Sequence, residues 1–84
     1  MIAGPKLLEG EYALLMADGA TGHVLTIEGE IYLSDNSSVY QVFSDITSAR
    51  NFVHLVQEKN NTLEFSIYDR NYVLIEFWKA PKWA

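Results

Sequence analysis

Only one stretch of this chain repeats its apolar residues at the helical period, and the rest alternates with period two; that contrast fixes the class of fold open to it. Counting about 100° per residue from Ile46, the side chains of Val53, Ala49, Val56 and Phe52 fall within one arc of roughly 120°, the width expected of a helix laid across a sheet. Thr47, Arg50, Asn51, His54 and Glu58 take the other side. Ser44 or Asp45 can accept from the free N–H groups of the first turn, where Asp45 also meets the positive end of the helix dipole. Asn60-Asn61 offers a left-handed stop.

Strand patterns flank this helix. Glu11 to Ala17 sets Tyr12, Leu14 and Met16 against Ala13, Leu15 and Ala17, then breaks at the two-glycine turn Asp18-Gly19-Ala20-Thr21-Gly22. His23 to Ile27 alternates again, and Glu30 to Ser34 sets Ile31 and Leu33 against Tyr32. Between them Glu28-Gly29 reads either as a two-residue turn or as a bulge in one long strand, because Leu25, Ile27, Gly29, Ile31 and Leu33 keep one register. Asp35-Asn36-Ser37-Ser38 turns the chain into a strand at Val39 to Phe43. After the helix, Thr62 to Tyr68 places Leu63, Phe65 and Ile67 opposite Glu64 and Ser66, a strand with one wet side. Asp69-Arg70-Asn71 turns it into Tyr72 to Trp78, which is apolar on both faces. Such a strand belongs in the centre of a sheet or against another chain, and the tail beyond it contains Pro81.

These elements make an α+β fold: an antiparallel meander sheet with one amphipathic helix packed on one face, in the order ββββαββ, or βββαββ if Gly29 is a bulge. At 84 residues, with about half of them hydrophobic, positions 1–84 form a single domain with one modest core. No cysteine is present, so disulfides, thiolate metal sites and a Cys nucleophile are excluded, and a cytoplasmic location is expected. Met1 to Leu8 is too short and too broken by Gly4 and Pro5 for a signal-peptide core, and no run approaches the ~18 to 20 apolar residues of a membrane span.

Charge is split along the chain. Residues 1–48 hold Glu9, Glu11, Asp18, Glu28, Glu30, Asp35 and Asp45 against Lys6 alone, whereas residues 49–84 hold five basic and four acidic side chains. A net charge of −5 argues against nucleic acid, where phosphate neutralisation by clustered Lys and Arg supplies most of the affinity.

Catalytic chemistry finds little to work with. Glu28, Glu30 and Asp35 lack the His, Lys or Tyr that would complete an acid/base set, and Asp35-Asn36-Ser37 lacks the glycine and distal Glu of a calcium loop. His54 stands one turn from Arg50 and from Glu58, the spacing of ordinary surface pairs, and His23 and His54 have no third ligand at metal spacing. No serine stands in a G-x-S-x-G or S-x-x-K motif, and no glycine-rich phosphate loop occurs. The expectation is a chain that is not an enzyme and takes neither cofactor nor metal. Tyr12, Tyr32, Tyr40, Tyr68, Tyr72 and Trp78 instead offer the residue types that anchor protein interfaces, or else pair across strands of a partly exposed sheet.

The run Val39-Tyr40-Gln41-Val42-Phe43-Ser44-Asp45-Ile46-Thr47-Ser48-Ala49-Arg50-Asn51-Phe52-Val53, followed by the hairpin around Asp69-Arg70-Asn71, resembles small single-domain bacterial proteins of the immunity or toxin-neutralising kind over about the last half of the chain. That resemblance implies a small acidic protein that binds a basic partner and blocks it, and the charge split suits the same steering. Glu28, Glu30, Tyr32 and Asp35 are then the candidate partner-binding residues. Two other readings stand beside it: a structural or homo-oligomerisation domain, dimerising through the last strand, and a small enzyme or ligand carrier.

Overall fold

A computed structural model describes residues 4–32 and 38–84. Its strands are β1 (Tyr12–Asp18), β2 (Val24–Leu25), β3 (Tyr40–Phe43), β4 (Leu63–Tyr68) and β5 (Leu74–Trp78); the helix α1 (Ile46–Lys59) joins β3 to β4, and a single 3-10 turn, Pro81–Trp83, follows β5. Every pairing is antiparallel. The fold is α+β, one sheet with one helix against it.

β1 is the centre of the sheet. β4 runs along one side of it from Ala13↔Tyr68 to Asp18↔Leu63. The other side is shared, with β3 on the first half (Tyr12↔Phe43 to Leu15↔Tyr40) and β2 on the second (Met16↔Leu25, Ala17↔Val24). β5 adds to the far side of β4, with a bulge where Tyr68 faces Leu74 and Ile67 faces Glu76. The sheet therefore reads β2 and β3, then β1, β4 and β5, so the strands of the acidic half occupy one side and those of the charge-balanced half the other.

Alternation along β1 and β4 sends the two sets of side chains to two clusters. Leu14, Phe65 and Ile67 pack under Ala49 and Val53 of α1, with Tyr12, Met16, Phe43, Phe52, Val56 and Trp78 around them. On the opposite face, Ala13, Val39 and Tyr40 are buried together with Leu7 of the N-terminal segment, and Leu15, Tyr32, Tyr68 and Tyr72 close the group. The interface-type aromatics are thus divided: Tyr12 and Trp78 serve the helix side, and four tyrosines serve the other.

The ambiguity at Gly29 is resolved by hydrogen bonds. Thr26 N–H donates to the Glu30 carbonyl (2.6 Å), Gly29 N–H to the Thr26 carbonyl (2.8 Å) and Tyr32 N–H to the Val24 carbonyl (2.9 Å), while Leu25 bridges Ile31. Gly29 sits at φ +88, which a side chain would resist, so the chain turns here and no strand runs through. Leu33, Ser34 and the candidate Asp35 lie outside the described residues.

At the start of α1, Asp45 is the cap, its Oδ1 accepting from Ser48 N–H at 2.7 Å. Its C-terminal end departs from expectation. Asn60 is extended (φ −143) rather than left-handed, because its side chain turns forward to accept from Thr62 N–H and Oγ1–H. The left-handed residue is Tyr72 (φ 59), after the turn in which Asp69 Oδ1 accepts from Asn71 and Val73 N–H. Tyr72 hence precedes β5 instead of starting it, and its ring packs on Tyr40 and Tyr68 while its hydroxyl donates to the Pro5 carbonyl.

The larger correction concerns the last strand. Of the two places its apolar faces predict, the centre of the sheet or against another chain, the first is excluded: β5 is an edge, and among the described residues it pairs with β4 alone. Val73, Leu74, Ile75 and Phe77 are all substantially exposed.

Candidate functional site

The acidic candidates stand on the hairpin that leaves β2. Thr26 is buried and ties the turn from within, its Oγ1 accepting from Glu30 N–H at 3.2 Å while Ile27 N–H reaches the Ser38 carbonyl at 3.0 Å. Held this way, Glu28 and Glu30 are exposed at the tip, and the flanking Ile27 and Ile31 are exposed beside them. Sequence alternation assigns those isoleucines to a buried face; the turn at Gly29 ends the strand before that face can form. Tyr32 is only half exposed and joins the cluster of Leu7, Ala13, Val39 and Tyr40, so it supports the base of the hairpin.

Other acids of the N-terminal half hold backbone. Glu11 accepts from Leu8 N–H (2.7 Å), Asp18 from Ala20 N–H (2.9 Å) and Asp45 from Ser48 N–H. The Asp45 carboxyl is held below the usual carboxylate range, first by the Ser48 backbone N–H and then by the Ser48 side chain.

A second constellation joins α1 to β5. Arg50 binds both carboxylate oxygens of Glu76, which also accepts from the Trp78 indole N–H at 3.1 Å, and His54 meets the Trp78 ring edge-on with centroids 4.8 Å apart. Hydrogen bonding from Arg50 lowers the Glu76 pKa and raises that of Arg50 in return. The i, i+4 arrangement expected around His54 is thereby replaced by a contact between elements 26 residues apart, which periodicity along one helix cannot register. On the opposite face, burial raises the pKa of Tyr40 and Tyr72, and for Tyr40 the neighbouring phenols of Tyr68 and Tyr72 add to it.

No protein-family model, curated protein or solved structure matches this chain.

Among the described residues, no group of three His, Cys, Asp or Glu side chains converges at metal-binding range, and no helix is long and apolar enough to cross a membrane. A crevice between Leu14, Met16, Phe52 and Ile27 encloses about 10 Å³, room for roughly one water. Small-molecule sites usually take several hundred Å³. Two surface features stand out among the described residues: an acidic tip with exposed isoleucines at one edge of the sheet, and an apolar strand at the other.

Proposed function

We propose that this protein is a small binding module that acts without catalysis and takes a basic protein partner on the tip of the β2 hairpin. The observation carrying this reading is the clustering of Glu28 and Glu30 with exposed Ile27 and Ile31 on a turn held by backbone hydrogen bonds from Thr26, Ile27 and Gly29 and by the Thr26 hydroxyl. Carboxylates draw a basic surface in and set its orientation, while the isoleucines supply apolar contact once water is displaced. An immunity-type inhibitor of that basic partner is the form the sequence resemblance implies. Asp35, the remaining acidic candidate of the sequence, lies outside the described residues.

The test begins with tagged protein in cells of the source organism, identification of what it retains, and association kinetics with the purified partner. Glu28→Gln with Glu30→Gln is expected to slow association about tenfold at low salt, and added salt should bring the parent toward the variant. A partner whose on-rate ignores both the substitutions and the salt refutes the reading. A second reading, a homo-oligomerisation domain, is favoured by the exposed edge of β5.

A further inference from the structure

From β5 we infer that two copies of this chain associate by antiparallel pairing of their β5 edges about a two-fold axis, extending the sheet from one protomer into the next. An edge strand presents a row of unpaired N–H and C=O groups, so whatever covers it completely must itself be a strand. The occupant must also be apolar and neutral. Val73, Leu74, Ile75 and Phe77 are exposed, Phe77 by 54 %, and the one charged side chain within β5, Glu76, is already bound by Arg50 and Trp78.

A second β5 meets both conditions. Two-fold symmetry sets the same patch against itself, so apolar side chains meet apolar side chains on either side of the axis. Edges usually carry a lysine, a proline or an inward charge to prevent this pairing; Leu74–Trp78 carries no lysine or proline, and its guards are the bulge at its start and the inward Glu76, whose charge Arg50 already neutralises. Together the four residues expose on the order of 350 Å² per copy; pairing covers part of that area, and the strand backbone adds to it. That is below the roughly 600 to 1,000 Å² per partner of stable interfaces, which fits a weak dimer formed at tens of micromolar or above.

The inference stands independently of the acidic tip, which lies at the opposite edge of the sheet. In such a dimer the two tips are at the outer ends, so one assembly presents two identical acidic sites facing away from each other.

Sedimentation over a range from about 1 μM to 1 mM tests it. The parent should move from 9.5 kDa toward twice that mass, with half-association in the tens of micromolar, while Phe77→Lys and Leu74→Lys each weaken association at least tenfold and keep the parent's circular dichroism. Because the chain has no cysteine, Ile75→Cys supplies a single thiol beside the axis. Under mild oxidation it should form a disulfide-linked dimer well before Leu55→Cys does, Leu55 being exposed on α1 away from the edge. A parent that stays at 9.5 kDa up to 1 mM, or a dimer that survives both lysine substitutions, overturns the inference. Glu28→Gln with Glu30→Gln should leave the mass unchanged, and Phe77→Lys should leave partner association at the tip unchanged, so the two readings fail separately.

Discussion

Two residues apart on α1, Val53 and Leu55 are 0 % and 60 % exposed, and truncating each to alanine measures how the helix is seated on the sheet. Val53→Ala removes two methyl groups from a cluster with Leu14, Phe65 and Ile67. Lost burial is worth about 0.8 kcal/mol per group. The vacated volume, some 50 Å³, adds about 1 kcal/mol if the neighbours do not close on it. Alanine's better helix propensity returns about 0.6 kcal/mol. A net loss of about 2 kcal/mol follows, and for 84 residues that lowers the melting temperature by about 11 °C. A domain of this size holds roughly 4 to 12 kcal/mol in total, so the variant stays folded. Leu55→Ala gives up only the buried minority of its side chain and should cost about 0.5 kcal/mol, near 3 °C. Thermal and urea unfolding followed by circular dichroism decide the matter, with the urea slope required to stay constant. Equal shifts, or a larger one for Leu55→Ala, would mean that α1 is rotated about its own axis, and the assignment of its buried face would be wrong.

Acid should expose the link between α1 and β5. Glu76 titrates below its unfolded value because Arg50 binds its ionised form, so its contribution is complete above the unfolded pKa and is lost as the pH falls below the usual carboxylate range and through the folded pKa. Arg50→Met should therefore narrow the difference in melting temperature between neutral and acid solution, and an unchanged difference would remove the pair from the account. Gly19 is tested by size alone: a Cβ there would stand 2.7 Å from the Ala80 Cβ and 2.8 Å from the Thr62 carbonyl oxygen, so Gly19→Ala must displace backbone at the β1–β2 turn. A loss of about 1 to 3 kcal/mol in urea unfolding is expected, and a neutral result would show that the C-terminal turn is not packed there.

Local signals were legible where one element decided the outcome. The apolar arc of α1, a cap at Ser44 or Asp45 and the alternation of β4 follow from neighbours within a few residues; the arc and the alternation are present as read, and the cap falls to Asp45. Strand placement is a different matter, because β1 and β5 carry the same signature, apolar side chains on both faces, and meet opposite fates. β1 is flanked on both sides, and its second face is covered by Leu7 and the tyrosines, whereas β5 is left at the edge. Period-two patterning reports how apolar a face is, and it does not report whether anything in the same chain arrives to cover it. Tyr72 shows the converse: a strand former by composition, it takes φ 59 because the Asp69 turn and its own contacts to Tyr40, Tyr68 and Pro5 outweigh its preference. At the candidate site, the exposure of Glu28 and Glu30 was readable, but their isoleucine neighbours were not, since one glycine at φ +88 decides which face Ile27 and Ile31 turn to.

Sheet order turns the linear charge split into a spatial one. The acidic half supplies β1, β2 and β3, the balanced half supplies β4 and β5, and the boundary runs between β1 and β4, so negative charge gathers toward one edge and the other is nearly neutral. From the outer arm of the β2 hairpin to β5 there are four strand spacings, roughly 19 Å at about 4.8 Å each. That is twice the distance over which exposed charges act at ordinary ionic strength, about 8 to 10 Å. A net charge of −5 would normally oppose self-association, yet at this separation the acidic tip of one copy scarcely reaches the β5 edge of another. The two edges should consequently answer salt differently. Raising sodium chloride from about 0.05 M to 0.5 M should slow capture of a basic partner at Glu28 and Glu30 while leaving the dimer constant within about a factor of two. A dimer that strengthens steeply with salt would place the acids at the self-association surface and reverse the assignment of the two edges.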